Sequence, residues 1–330
     1  MISKVPFNNG SKTLFRLVLV AGMALGLMTQ TTQAVILKGS GDPAYNTTPP
    51  TGTLAGSGWQ YQGQWGGFLG TVIAPQYFIA AQHVGGAVGK EFIQNGVTYH
   101  TTAYWDDATT DLRIWKVDGV FGNYATLYPT NDEAGKSLVV IGRGTQRGNE
   151  VRVPTVQTVY TTNKVNLKTL GISVTTAKKQ FPGATFSGSI MTTVTSQVVT
   201  NQVLKGWAAG ASDGVMRWGQ NTVSGAGGLI VASFDMNGTT NEASLSGGDS
   251  SGAVFIQYKG AWKLAGINYG IDGPFSYTAT DPGFYGALFD ESGLYSDGTL
   301  LVPDGQQHPV SFYATRISPR IAWIQSVINQ

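Results

Sequence analysis

Apolar residues in this chain come in short packets. From about residue 58 to 145, segments of four to eight apolar residues alternate with turn formers. Trp59-Gln60-Tyr61 and Val97-Thr98-Tyr99 have the two-residue period of a strand, and Leu138-Val139-Val140-Ile141 reads as a buried strand ending at Gly142-Arg143-Gly144. The pattern continues beyond, with strand candidates at 151–159, 187–199, 228–234, 253–258 and 262–269. Helical period stands out at 317–328, where Ser318 is placed to cap, Pro319 falls in the first turn, and Ile321, Ile324 and Ile328 line one face. Charged residues are only 12%, while Gly, Thr, Ser and Val abound, as short strands joined by many turns require. This predicts an all-β chain closed by one α-helix. Residues 35–57, rich in Gly, Pro, Thr and Ser, read as an N-terminal arm without strand.

The start of the chain reads as a secretory leader over residues 1–34. Lys4, Lys12 and Arg16 precede a twelve-residue apolar run at 17–28, and Thr32-Gln33-Ala34 places small residues at the cleavage offsets. That run is short for a membrane span of about 20 residues. Cleavage after Ala34 leaves 296 residues with 18 basic against 19 acidic side chains. With that balance no basic patch large enough to suggest nucleic acid is read, and after leader removal no membrane is expected as partner. The location expected is secreted or periplasmic; the oligomeric state is open. Cysteine is absent, so no disulfide frame exists. His83, His100 and His308 are the only histidines and no two have metal-ligand spacing, so no metal or other cofactor is expected. Asp235-Met236-Asn237-Gly238 with Glu242 reads as a plain turn or an incomplete calcium loop. Trp59, Tyr61 and Trp65 are expected to pack on one strand face rather than to stack on sugars.

Gly247-Gly248-Asp249-Ser250-Ser251-Gly252 places a serine between an acid and small residues, just before the apolar run 253–256. A serine hydroxyl becomes a useful nucleophile only when a base takes its proton and a third group orients that base. Ala80-Ala81-Gln82-His83-Val84 supplies an imidazole upstream, and Asp111-Leu112-Arg113-Ile114-Trp115 supplies a carboxylate between the two.

Taken together these segments resemble the trypsin/chymotrypsin-like serine protease family, whose chain order is also histidine, aspartate, serine. The segment 80–84 is similar to its T-A-A-H-C motif, 70–79 to its G-T-L-I-x-x-x-W-V-L strand, 248–252 to G-D-S-G-G, and 313–318 with Trp323-Ile324 to its closing Y-T-R-V-S and W-I helix. The match covers 50–330 in patches. Val84 stands where cysteine is frequent, so the chain looks like a disulfide-free bacterial member.

The resemblance implies two antiparallel six-stranded β-barrels with the active site between them, plus the C-terminal helix. The first barrel is expected over 58–150 and the second over 151–330. It also implies a secreted serine endopeptidase acting on protein or peptide through an acyl-enzyme. His83 would be the base, Asp111 its orienting acid with Asp106 and Asp107 as rivals, and Ser250 the nucleophile. The amides of Gly248 and Ser250 would form the oxyanion hole. Ser251, in place of the family's glycine, adds a hydroxymethyl group with room to crowd the nucleophile but leaves the backbone intact. Asp249 would meet either an amino terminus freed at Val35 or an internal arginine, Arg143 or Arg217. Ser244 falls at the pocket floor, and Asn268, Tyr269 and Gly270 on the strand that pairs with substrate. An uncharged floor implies cleavage after apolar or small residues.

Two insertions depart from compact members: 139 positions separate Asp111 from Ser250, and 271–309 follows the pocket strand. The second is expected either to decorate the surface or to overhang the cleft as a lid. A catalytically silent binding module on the same fold, and an unrelated β-rich sugar-binding protein, are the competing readings.

Overall fold

A computed structural model describes residues 35–330, the side chain of Ser212 excepted. The leader expected over 1–34 lies outside the described residues. The chain divides into two compact units, residues 35–149 with Gly206–Gln330, and Glu150–Lys205.

In chain order the strands of the N-terminal half are β1 (Ile36–Leu37), β2 (Gln62–Trp65), β3 (Phe68–Ala74), β4 (Tyr77–Ala81), β5 (Glu91–Gln94), β6 (Val97–Asp106), β7 (Leu112–Val117) and β8 (Ser137–Gly142). Then come β9 (Thr145–Asn166), α1 (Val174–Gln180), β10 (Thr185–Ser187), β11 (Ile190–Ser212), β12 (Arg217–Ala226), β13 (Leu229–Ser233) and β14 (Ala243–Ser244). The chain closes with β15 (Ala253–Tyr258), β16 (Ala261–Ile271), β17 (Gly286–Leu288), β18 (Tyr295–Ser296), β19 (Thr299–Leu300), β20 (Ser311–Arg316) and α2 (Ile321–Ile328).

Two closed antiparallel barrels of six strands form, the chymotrypsin-like architecture. The first runs β2-β3-β4-β7-β6-β5 and the second β12-β13-β20-β16-β15-β8. Closure removes the open edges that a flat sheet would expose.

The packing explains why several strands are apolar at every position. Along β4, Phe78 and Ala80 face the first barrel's interior with Val72, Phe92 and Trp115, while Tyr77, Ile79 and Ala81 face the other way. Along β15, Val254 and Ile256 fill the second barrel with Val140, Ile230 and Phe312, while Ala253 and Phe255 turn outward. Those outward faces meet in one shared core with Leu112, Ile114, Val139, Ile141 and Ile267. A strand buried on both faces loses the polar alternation of a half-buried one. The seam strands β4, β7 and β15 are the ones that carry the candidate catalytic residues at their ends.

Several sequence expectations are corrected. Residues 138–141 do not belong to the first barrel: β8 pairs with β12 and β15, and Leu138 and Val140 point into the second interior. Trp59–Tyr61 is a 3-10 turn before β2, not a strand. Trp59 and Tyr61 pack on the seam core while Trp65 packs inside the first barrel, so the three do not share a face. The arm at 35–57 contains β1, paired with β14, and Val35, Ile36 and Leu37 are buried. The segment 151–159 is strand within β9, and 187–199 spans the end of β10, a turn and part of β11, all outside the second barrel. The unit Glu150–Lys205 is a ribbon of β9 and β11 joined through α1 and β10, with a small core of Leu167, Ala177 and Met191.

The C-terminal helix begins later than periodicity implies. Ser318 opens a 3-10 turn and does not cap α2; its hydroxyl goes to the buried Glu133 at 2.6 Å, beside the Arg316–Glu133 ion pair. Ile324 and Val327 are the buried face of α2. No helix among the described residues is long and apolar enough to cross a membrane.

Candidate active site

Three strand ends meet at the seam. His83 lies in the 3-10 turn just after β4, Asp111 just before β7, and Ser250 three residues before β15. The His83 Nε2 is 2.8 Å from the Ser250 Oγ, and the His83 Nδ1 is 2.5 Å from the Asp111 Oδ2. The His83 amide also donates to the Asp111 Oδ1 at 2.9 Å, so the carboxylate grips both the ring and its backbone. The three residues placed together by the sequence are therefore together in space.

The rival acids are engaged elsewhere. Asp106 forms a two-point pair with Arg113, at 2.5 and 2.8 Å. Burial works against ionisation of Asp107, but the Thr109 amide and hydroxyl, the Thr110 hydroxyl and Arg320 outweigh it and hold its carboxyl below the usual range. His100 and His308 pair with Asp118 and Asp304 and take no part in the site.

Gln82 organises the acid's loop. Its side-chain amide donates to the carbonyls of Asp107, Thr110 and Leu112 at 2.8, 3.1 and 3.0 Å, and its backbone amide donates to the Asp111 carbonyl. Sequence reasoning quoted Gln82 only as a neighbour of the histidine. The signal was a long amide side chain beside a loop with many carbonyls to satisfy.

Ser251 does not crowd the nucleophile. It is fully buried at φ +67°, a left-handed conformation that favours glycine, and its hydroxyl accepts the Ala81 amide at 3.0 Å. That bond ties the strand bearing His83 to the loop bearing Ser250, across the seam. Its own amide donates to the Asn268 carbonyl at 2.9 Å.

Asp249 is buried beneath the loop. It accepts from the Ser246 amide and hydroxyl at 2.7 and 2.9 Å, from the Gly144 amide at 2.6 Å, and from the Val35 amide at 3.1 Å. Burial is the dominant influence and pushes its carboxyl up to about 7 against these donors. Gly142 is small because a Cβ there would run into this carboxylate. Neither guanidinium suggested by the sequence reaches it, although the Arg143 backbone amide is among the donors that act on the carboxyl. Arg143 donates to the Gly214 carbonyl, and Arg217 pairs with Asp213. The Val35 alternative is the one the fold brings into contact.

Gly248 adopts φ +94°, and neither its amide nor that of Ser250 makes a hydrogen bond within the described residues. Both donors are thus unpaired among the described residues. Tyr269 sits at a bulge between Asn268 and Gly270, where β16 slips against β20. Its ring meets His83 edge-on at 6.1 Å. Asn268 is corrected from a lining to a holding role. It is fully buried, its side-chain amide donates to the Ile141 and Asp249 carbonyls, and its backbone is committed to Ser251 and Gly252. Ser244 is buried on β14, paired with Ile36.

A cleft of about 690 Å³ opens beside the triad, lined in part by His83, Asp111, Leu229 and Tyr269. A second concavity of about 610 Å³ adjoins the His83 turn through Val84 and includes Trp65, Phe68 and Glu91. The insertion 271–309 contributes to neither. It packs inward through Phe275, Leu288 and Leu294. The Glu242 carboxylate accepts from the Asp235 and Thr239 amides and the Thr239 hydroxyl, which makes that segment a side-chain-closed turn. No protein-family model matches the chain, and no curated protein matches it.

Proposed function

We propose that this chain is a secreted or periplasmic serine endopeptidase that cleaves protein or peptide through an acyl-enzyme. The observation that carries the reading is the unbroken hydrogen-bond chain from Asp111 through His83 to Ser250. In the proposed reaction the Ser250 Oγ attacks the scissile carbonyl as His83 Nε2 takes its proton. The tetrahedral oxyanion is received by the Gly248 and Ser250 amides. His83 then passes its proton to the leaving amine, and the peptide C–N bond breaks. Water, deprotonated by the same imidazole, releases the acyl group and restores the serine. Asp111 holds Nδ1–H in the required tautomer and stabilises the imidazolium between steps.

Leader removal after Ala34 would turn the Val35 amide into an ammonium at the same place, 3.1 Å from Asp249. The pair would settle the loop that carries Gly248 and Ser250. At the specificity position Ser244 brings no charge, which favours an apolar or small residue before the cut. Profiling cut sites in a mixed peptide library tests this. Cleavage after apolar or small residues agrees with it; strict cleavage after Lys or Arg, or no cleavage by protein that starts at Val35, contradicts it.

A further inference from the structure

The ribbon Glu150–Lys205 has a charge unlike the rest of the chain. It holds six basic residues and one acid, while the other residues of 35–330 hold twelve basic and eighteen acidic. No Asp or Glu occurs from Val151 to Ser212. The single acid, Glu150, is already paired with Arg152 at 2.8 Å. The near-neutral whole-chain balance conceals this, because it averages a cationic unit with an anionic one.

The cations gather at the closed end of the ribbon. Lys164 lies two residues before the end of β9, Lys168 follows the strand, and Lys178 and Lys179 lie in the last turn of α1. All four are exposed, and none forms an ion pair among the described residues. Lys178 rests over the Phe186 ring at 5.8 Å. The same connection exposes two large apolar side chains, Leu170 at 57% and Phe181 at 43%. The small core beneath them fixes the segment as a formed surface.

We propose that this end of the ribbon docks on an anionic lipid bilayer, with the lysines at the headgroups and Leu170 and Phe181 at the acyl boundary. Lysines without carboxylates nearby are attracted to a negative leaflet, and exposed apolar side chains among them gain by leaving water. A soluble polyanion would use the charges but would leave the apolar pair in water. The absence of arginine beyond Arg152 in this unit also speaks against phosphate recognition by paired donors.

The test is co-sedimentation of residues 35–330 with vesicles of phosphatidylcholine containing 30% phosphatidylglycerol, against pure phosphatidylcholine. Binding to the anionic vesicles alone, weakened by salt, is expected. Each Lys→Gln change at 164, 168, 178 and 179 should lower partitioning about fivefold. Leu170→Ser with Phe181→Ser, at unchanged charge, should lower it about tenfold or more. Circular dichroism checks that each variant is folded. Equal binding to both vesicle types, no binding to either, or binding that ignores the lysine changes overturns the proposal. So does binding that survives the apolar changes and is competed equally by heparin, which would mark a polyanion site.

Discussion

The Val35 amide donates to the Asp249 carboxylate at 3.1 Å, 214 positions away in the chain and wholly out of solvent. An uncleaved chain therefore holds a carboxyl with neutral donors and no cation. Its pKa is raised to about 7 from the ordinary 3.8. A group that binds its proton more tightly when folded favours the fold at low pH and disfavours it as pH rises. The window runs from about 4 to about 7, and a rise of about three units corresponds to roughly 4 kcal/mol as an order of magnitude.

Protein retaining residues before Val35 is thus expected to lose stability between about pH 4 and about pH 7. Protein that begins at Val35 is expected to keep it, because the ammonium stabilises the ionised partner. Its own loss should come in alkali, as the amine gives up its proton. Urea midpoints of both forms across that range check this; parallel curves would contradict it.

Ser251 combines an unfavourable φ with a bond across the seam. Ser251→Ala keeps the strain and leaves the Ala81 amide unpaired, so a loss of about 2–3 kcal/mol is expected. Ser251→Gly removes both strain and bond and should cost less. Chemical denaturation of the two variants distinguishes them. Equal losses, or the reverse order, would show that φ strain at this position is not relieved by glycine, and no loss in Ser251→Ala would show that the hydroxyl is not what holds the two segments together.

Gln82 bonds three carbonyls of the Asp111 loop. Gln82→Met fills a similar volume without donors. Stability should fall by about 2 kcal/mol, and peptide turnover by about tenfold or more as Asp111 loses its fixed position. Kinetics with a peptide library substrate, at a temperature where the variant is folded, reads the second effect. Unchanged turnover would remove Gln82 from the positioning machinery.

Asp111→Asn should preserve the fold and lower turnover by about 10⁴-fold, since an amide can present a donor to Nδ1 and fix the wrong tautomer. Asp106→Asn, which disturbs only the exposed pair with Arg113, should change turnover by less than about threefold. Reversal of that ranking would make Asp106 the orienting acid.

The barrels were legible where burial on two faces wrote itself into sequence. Residues 77–81 and 253–256 are apolar because they serve a barrel interior and the seam at once, and each leads into or out of a site residue. Local pattern failed where partners are distant. Nothing adjacent to Ile36 and Leu37 indicates that they will pair with β14; Val35 is a candidate partner of Asp249 only through the resemblance, and Ser318 has the look of a cap until Glu133 arrives from another segment. The strands β9 and β11 read as barrel strands because short windows see alternation but not the length of a ribbon. Asn268 aligned with a substrate-facing strand, yet the bulge at Tyr269 leaves it inside.

The central claim is that Ser250 is activated by His83. Treating residues 35–330 with a fluorophosphonate and mapping the adduct by mass spectrometry tests it most directly. The account predicts one adduct, on Ser250, lost in His83→Ala protein that remains folded. A folded protein that takes up no label, or labels another serine equally well, would contradict it.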